Sequence, residues 1–237
     1  MKVFVALPAY GGVNVCACTM SLFNAAVAMT RHGIEATMAT FTGPDIAVLR
    51  NAILSLFFYR MDATHLLFVD SDMKFPPELI IDMLRFNEPL TGLIYPAKML
   101  PLRFVVSGLP QTEARGGFLK EKSIGFGVTM VRRDCVQRLI DHSPSIVRMI
   151  ADMPPSFERE ILETYGLNCL VAAFDRLPGK SEDVSFCERW RAAGGTVWAN
   201  IVHKVGHVGQ FAFEGRFLDQ LSLEEQDRVS TAARPNA

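Results

Sequence analysis

Apolar and polar positions follow two different periods along the first half of the chain. Short apolar runs such as KVFVAL at 2–7, THLLFV at 64–69 and LTGLIYPA at 90–97 predict buried strands. Longer segments with apolar residues three and four positions apart predict helices at about 19–32, 45–60 and 77–86. Because strand and helix alternate, we expect an α/β fold with a mostly parallel sheet and helices on both faces.

The second half of the chain has a weaker pattern. Its periodic segments predict strands at 104–109 and 125–131, helices at 132–142 and 181–195, and a strand ending in a loop at 196–209. Residues 143–180 follow neither period, and residues 100–120 are likewise irregular.

The length of 237 residues is within the range that one α/β domain fills, and no internal repeat is present. From Ser222 onward the chain is polar and has little to bury. We therefore expect a single domain over residues 1–221 and a flexible tail over 222–237.

Composition and charge narrow the class of protein. A net charge of -1 disfavours a general nucleic-acid surface. Five scattered cysteines without a paired CxxC spacing indicate reduced thiols. Pro8 interrupts the opening apolar run too early for a signal peptide, and no apolar run reaches the roughly 20 residues that span a bilayer. We expect a cytoplasmic protein without a transmembrane segment, with peripheral membrane contact left open.

Two acids, Asp70 and Asp72, follow the predicted strand at 64–69 and precede Phe75-Pro76-Pro77. Ligands of open α/β sheets gather at the carboxyl ends of strands, and strand alternation points both acids one way. Neighbouring carboxylates raise one another's pKa unless a cation neutralises them, which favours Mg²⁺ or Mn²⁺ shared with phosphate oxygens. A solvated strand end, where one acid caps the next helix, is the alternative.

Glu182 and Asp183 form a second acidic site at the start of a predicted helix. An N-cap at Ser181, with acids that complement the helix dipole, explains them sufficiently. A carboxylate there can also act as a general base. In the loop that ends the segment predicted at 196–209, His207 is a candidate metal ligand, and His203, which shares its parity on the strand, is a weaker one.

Arg50 lies in an otherwise apolar predicted helix. A buried guanidinium needs an anionic partner, and we expect Arg50 to brace Asp70 or Asp72. Pro8 and Tyr10 follow the first strand, where an aromatic ring can stack on a nucleobase, although packing within the loop explains them equally well.

Taken in order, LPAY, the Arg-Asn pair, LLFVDSDMKFPPELI, SEDVSFCERW and HKVGHVG resemble GT-A-fold nucleotide-sugar glycosyltransferases. The likeness is to the family-2-like group and the Anp1 type of mannosyltransferase subunit, and it covers about residues 1–215. It implies a hexosyltransferase type of enzyme that moves a sugar from a nucleoside-diphosphate sugar to a hydroxyl of a glycan, lipid-linked or protein acceptor.

The resemblance also implies a metal site. Asp70 and Asp72 match the family's DxD acids, which hold Mn²⁺ or Mg²⁺ against the donor diphosphate. His207 matches the histidine that closes this site from the far end of the domain.

Further roles are implied for the donor and acceptor sides. Asp183 matches the acid that deprotonates the acceptor hydroxyl in inverting members, with Glu182 beside it. Pro8 and Tyr10 match the stretch that cradles the nucleobase, and Arg50 matches an arginine of the donor pocket.

The family often has an acid after its second strand that pairs with the nucleobase, but here ATMATFTGPD has Thr40 and Thr42 before any acid. The sequence therefore leaves the identity of the nucleobase open. A non-catalytic nucleotide-sugar-binding module of the same fold needs nearly the same residues. A magnesium-dependent phosphohydrolase of the haloacid-dehalogenase type also uses D-x-D, but it has a small residue where this chain has Lys74 and places the motif on its first strand.

Overall fold

The computed structural model describes residues 1–105 and 113–232, except for the side chains of Tyr10 and of residues 228–232. Its strands are β1 (Lys2–Ala9), β2 (Glu35–Thr42), β3 (His65–Val69), β4 (Met73–Lys74), β5 (Leu90–Leu93), β6 (Ala114–Arg115), β7 (Phe118–Glu121), β8 (Val128–Arg132), β9 (Val147–Met149), β10 (Cys169–Val171), β11 (Val197–Asn200), β12 (Val205–Val208) and β13 (Ala212–Gly215). Its helices are α1 (Cys16–Arg31), α2 (Ile46–Tyr59), α3 (Pro77–Phe86), α4 (Arg133–His142), α5 (Phe157–Thr164), α6 (Glu182–Ala192) and α7 (Leu223–Ala232).

The main sheet of the described chain has eight strands in the order β2-β1-β3-β8-β5-β11-β7-β6. The pairs β1–β2, β1–β3 and β5–β11 are parallel, and the other four pairs are antiparallel. Strands β7 and β8 therefore run against the direction that the remaining strands share. The predicted α/β class with a mostly parallel sheet is confirmed.

Helices cover the main sheet on both faces, as predicted. On β1, Phe4 and Ala6 point into the core formed with α2, α4, α5 and α6. The alternating residues Val3, Val5 and Leu7 point into the core formed with α1 and α3. Burial on both faces explains why the central strands are continuous apolar runs rather than alternating ones.

The strand predicted at 196–209 is wrong as a single element. Strand β11 belongs to the main sheet, whereas β12 belongs to a three-stranded sheet of order β13-β12-β4. Between them the side-chain oxygen of Asn200 accepts hydrogen bonds from the backbone N–H groups of Val202 and His203. This turn takes the chain out of the main sheet, so the shared parity of His203 and His207 does not place them on one strand.

Other segments also contain more structure than the hydrophobic pattern indicates. Residues 143–180 include α5 and the antiparallel pair β9–β10. Helix α7 forms within 222–237, where Ser222 and Glu225 exchange the reciprocal hydrogen bonds of a capping box, a motif whose S-x-x-E spacing is present in the sequence. Of the strand predicted at 104–109, Phe104 bridges to Pro96, and residues 106–109 lie outside the described residues.

None of the helices in residues 1–105 and 113–232 has both the length and the hydrophobicity needed to cross a bilayer.

Gly195, between α6 and β11, allows the ring of Trp190 to lie close to the backbone. Substitution of this glycine therefore tests how tightly the region is packed. A Cβ at Gly195 would lie 1.9 Å from a ring atom of Trp190. The ring is buried and held in place, because its Nε1 donates to the Thr196 carbonyl at 2.9 Å. We expect Gly195→Ala to lower the free energy of unfolding in urea by about 1–3 kcal/mol.

The control for this substitution is Gly209→Ala, whose Cβ would meet its nearest neighbour, Lys98, at an ordinary 3.4 Å. We expect this change to stay within about 0.5 kcal/mol of the wild type. Equal stability of the two variants would show that the Trp190 ring is free to move.

Candidate functional site

The turn at residues 70–72 follows the carboxyl end of β3 and is anchored from two sides. The backbone N–H of Val15, before α1, donates to the Ser71 carbonyl at 3.0 Å. The backbone N–H of Val208, at the end of β12, donates to the Asp72 carbonyl at 2.8 Å. These bonds fix the direction in which Asp70 and Asp72 leave the sheet. The alternative in which one acid caps α3 is wrong, since the N-cap of α3 is Pro76 without a side-chain cap.

His207 faces Asp72 because β12 pairs with β4, where His207 lies opposite Met73. Its Nδ1 lies 3.1 Å from the Pro96 carbonyl oxygen, and its Nε2 lies 3.4 Å from Asp72 Oδ2. A carbonyl only accepts, so Nδ1 carries a proton. In the neutral ring, Nε2 and Asp72 Oδ2 are then two acceptors facing each other, an arrangement that calls for a proton or a cation between them.

Lys98 provides a permanent positive charge at the same carboxylate. Its Nζ lies 2.5 Å from Asp72 Oδ2. Asp72 Oδ1 is buried and has no hydrogen-bond partner among the described residues. Burial disfavours the charged form of Asp72, but hydrogen bonds from a protonated His207 and from Lys98 outweigh it and lower its pKa to about 2. Asp72 is therefore ionised, with one oxygen left unpaired.

Arg50 connects three acids from distant parts of the chain. Its side chain is 2% exposed, and Nη2 donates to the two oxygens of Asp70 at 2.9 and 3.2 Å. Its Nη1 donates to Glu182 Oε1 at 2.9 Å and to Asp183 Oδ1. Arg50 thus braces Asp70, one of the two partners expected for it, and it joins helix α2 to the turn after β3 and to the start of α6.

Aromatic rings surround this charged cluster. The guanidinium carbon of Arg50 lies 5.4 Å from the ring centre of Phe126 and 6.0 Å from that of Phe174. Apolar walls exclude water and so strengthen the electrostatic interactions that they enclose.

The start of α6 combines a cap with a partly buried acid, Asp183. Ser181 is the N-cap, and its hydroxyl accepts from the Val184 N–H. The backbone N–H of Phe126 donates to Asp183 Oδ2 at 3.2 Å. Burial, with repulsion from Glu182 and Asp70, exceeds the opposing effect of Arg50 and raises the pKa of Asp183 to about 6. Burial likewise raises the pKa of Asp70, against the effect of Arg50.

A cleft of about 370 Å³ opens at this edge of the sheet. Its lining residues are Pro8, Pro44, Asp45, Ile46, Asp70, Ser71, Asp72, Tyr95, Arg176 and His207. Four predicted site residues are among them, and Arg50, Glu182 and Asp183 join the cleft through Arg50's contact with Asp70. Tyr10 begins the 3-10 turn Tyr10–Gly12 directly after β1, and its side chain lies outside the described residues.

The cleft, together with the charged side chains that reach it directly or through Arg50, carries an excess of negative charge. The acids of this set are Asp45, Asp70, Asp72, Glu182 and Asp183. The permanent cations are Arg50, Lys98 and Arg176. Five carboxylates against three cations leave two negative charges when His207 is neutral. A diphosphate entering this cleft would be repelled unless further positive charge came with it.

Two cationic residues of the cleft, Lys98 and Arg176, are not among the residues that the sequence predicted. Lys98 follows directly after the strand predicted at 90–97, so the rule that draws attention to Asp70 would also identify it. Arg176, which pairs with Asp45 at 2.9 Å, lies in the segment without a clear period and gives no such signal. His203 is not part of the cleft: its Nε2 lies 2.9 Å from Asp82 Oδ2 in a groove between α1 and α3.

The donor chemistry of this cleft fits a hard divalent cation, although no group of three or more ligating side chains is assembled within the described ranges. Asp72 and His207 face each other, whereas Asp70 is turned toward Arg50. Mg²⁺ and Mn²⁺ bind through few protein ligands, with substrate phosphates and water filling the remaining positions. The unpaired Asp72 Oδ1 and the facing acceptors are the features that such an ion would satisfy.

Removal of the Arg50 guanidinium tests whether it holds the three acids together. We expect Arg50→Met to lower the free energy of unfolding at pH 7 by about 3–5 kcal/mol, because three partly buried carboxylates lose their counter-ion. Their pKa values in the folded variant would then lie above those of the unfolded chain. The folded variant takes up protons as the pH falls, so the loss of stability shrinks toward pH 5.

The matched control is Arg176→Met, because Arg176 is about half exposed and pairs with Asp45. We expect it to change the free energy of unfolding by at most about 1 kcal/mol. Urea unfolding of both variants between pH 5 and 8 measures the difference, and a pH-independent deficit in Arg50→Met would contradict the electrostatic explanation.

Comparisons with known proteins identify a shared fold but no family. No family model matches the chain, and no curated protein matches it. The crystal structure of A197 from STIV is similar, with a TM-score of 0.51 and 15% identity over 88% of this chain and 86% of that chain. This likeness shows a shared fold.

Two further solved structures are weaker likenesses. GalNAc-T7, crystallised with UDP, GalNAc and Mn²⁺, has a TM-score of 0.48 and 9% identity, covering 88% of this chain and 43% of that chain. S. aureus TarS 1-349 in complex with UDP-GlcNAc has a TM-score of 0.40 and 13% identity, covering 98% of this chain and 65% of that chain.

Proposed function

We propose that the protein is a metal-dependent glycosyltransferase that moves a sugar from a nucleoside-diphosphate sugar to a hydroxyl acceptor. The observation that carries the proposal is the cleft at the end of β3, where Asp72 and His207 face each other across 3.4 Å amid two uncompensated negative charges. The predicted DxD acids and His207 line this one cleft, as the GT-A resemblance implies.

On the donor side, Asp72 and His207 would hold Mn²⁺ or Mg²⁺, with Asp70 as the third ligand. An ionised carboxylate has about four lone-pair sites, so Asp70 has capacity beyond its two bonds to Arg50. The bound cation would supply the positive charge that stabilises a departing nucleoside diphosphate. Arg50 belongs to this donor pocket through Asp70, whose position it fixes.

The volume of the cleft, about 370 Å³, is appropriate for a nucleotide-sized ligand. Pro8 lines its wall, and Tyr10 follows at the end of β1. We assign these two residues to the nucleobase.

On the acceptor side, we assign Asp183 as the general base, with Glu182 beside it. A carboxylate with a pKa of about 6 is ionised at neutral pH and yet basic enough to accept a proton from an aligned hydroxyl. Bonds from Arg50 and from the Phe126 N–H hold both of its oxygens in place while leaving lone pairs free. The proton of the acceptor O–H would pass to Asp183 as the acceptor oxygen bonds to the anomeric carbon of the sugar. The bond from that carbon to the nucleoside diphosphate would break, and its electron pair would leave on the diphosphate.

Substitution of Asp72 tests the metal site. We expect Mn²⁺ together with UDP or GDP to raise the melting temperature of the wild type by about 5 °C or more at saturation. The Asp72→Asn variant should fold but show no such shift, because it loses the ionised ligand that joins the ion to the protein. The measurement is a thermal shift for each nucleotide with and without Mn²⁺.

The control is Asp82→Asn, because Asp82 also pairs with a histidine, His203, but lies outside the cleft. It should keep the wild-type shift. Retention of the Mn²⁺-dependent shift in Asp72→Asn would remove Asp72 from the site.

Substitution of Asp183 tests the base. We expect Asp183→Asn to bind Mn²⁺ and nucleotide like the wild type but to transfer sugar about 100-fold more slowly, because general-base catalysis is lost. In the wild type, transfer should fall as the pH drops through about 6, where Asp183 becomes protonated. The assay follows nucleoside diphosphate released from UDP- and GDP-sugars with a panel of hydroxyl acceptors.

The pH dependence separates a base from a structural acid. If Asp183→Asn retains both the wild-type rate and the fall near pH 6, the base assignment is wrong. Wild-type binding without release on any acceptor would instead favour the non-catalytic module.

A further inference from the structure

Lys98 reaches the proposed metal site from the loop that follows β5. The backbone N–H of Ala97 donates to the Arg103 carbonyl at 2.7 Å, and Met99 N–H donates to the Ala97 carbonyl at 2.8 Å, so the loop is held on both sides of Lys98. The methylene stem of Lys98 passes over Gly209, just beyond β12. Its ammonium ends on Asp72 Oδ2 at 2.5 Å.

The Lys98 ammonium and the His207 imidazole both face one oxygen, Asp72 Oδ2. Lys98 lies 2.5 Å and His207 3.4 Å from Asp72 Oδ2, while Oδ1 has no hydrogen-bond partner within the described chain. A divalent cation held by Asp72 and His207 would come close to the Lys98 ammonium. Like charges at this distance repel, so the ammonium and the ion compete for Asp72.

We propose that Lys98 is an exchangeable counter-ion of the donor site. It neutralises Asp72 when the divalent cation is absent, it leaves Asp72 when the cation binds, and it then donates to the diphosphate oxygens of the donor. This inference rests on the proposed function, since it assigns a role to Lys98 in the same site.

The exposure of the Lys98–Asp72 pair makes such an exchange possible. The two side chains are 36% and 29% exposed, and ion pairs with this access to water are weak. The four-carbon stem of lysine has several rotatable bonds, and its compact ammonium binds phosphate as a point charge. Arg50 is the contrast, because it is 2% exposed and bonded to three carboxylates, which prevents exchange.

The first experiment measures Mn²⁺ alone, without nucleotide or activity. We expect Lys98→Met, which keeps the apolar stem but removes the charge, to bind Mn²⁺ about fivefold more tightly than the wild type, as judged by the loss of the free-ion paramagnetic resonance signal. The matched control is Lys74→Met, which removes an equal charge two residues from Asp72, where the ammonium pairs with Glu214 at 2.6 Å. The control should bind Mn²⁺ like the wild type.

The second experiment measures UDP and GDP at saturating Mn²⁺ by calorimetry. We expect Lys98→Met to bind the better of the two nucleotides about tenfold more weakly, because a charge-assisted hydrogen bond to the diphosphate is lost. Lys98→Arg should restore most of this affinity, and Lys74→Met should not change it.

The outcomes distinguish the exchange from the proposed function. Equal or weaker Mn²⁺ binding by Lys98→Met, in a protein whose wild type binds Mn²⁺, overturns the exchange and leaves the proposed metal site intact. Equal tightening by Lys98→Met and Lys74→Met would reveal only a general charge effect and also overturns it. Unchanged nucleotide affinity in Lys98→Met overturns the transfer of Lys98 to the diphosphate. Absence of Mn²⁺ binding in every variant overturns both proposals.

Discussion

The architecture of the site depends on one buried guanidinium. Arg50 is charged and dehydrated, a state that a protein tolerates only when anionic partners surround the group. Asp70, Glu182 and Asp183 provide them, and they come from two segments more than 100 residues apart. Because the cost of leaving any of these charges unpaired is high, the turn after β3 and the start of α6 are bound to α2 in one arrangement.

The charges around the cleft form two groups with different properties. The inner group, centred on Arg50, is enclosed by Phe126 and Phe174 and has low access to water. The outer group, in which Asp72 meets Lys98 and His207, is partly solvated. Interactions in the inner group are therefore strong and fix geometry, whereas those in the outer group are weak enough for ions and phosphates to replace.

The hydrophobic pattern predicts the strand and the helix that carry Asp70 and Arg50 to the site, but it does not predict the long-range contacts between the site residues. Strand β3 and the helix carrying Arg50 followed from hydrophobic period. The bonds from Arg50 to the two acids of α6 span 132 and 133 positions, a separation at which no local period carries information. The prediction at 196–209 is wrong because the apolar pattern continues through two strands without a break. The turn between them depends on hydrogen bonds from two backbone N–H groups to the Asn200 side chain, and the hydrophobic pattern carries no information about such bonds. His207 was still identified, from its position past a strand end and the GT-A resemblance.

Two acids of the cleft region illustrate how surroundings assign roles to identical side chains. Asp72 has cationic partners and some contact with water, and its pKa falls to about 2, so it remains an anion that can hold a cation. Asp183 is largely enclosed beside other acids, and its pKa rises to about 6, so it can accept a proton near neutral pH. An exchange of the two roles would require an exchange of burial and partners, which the fold prevents because α6 encloses one acid and the strand end exposes the other.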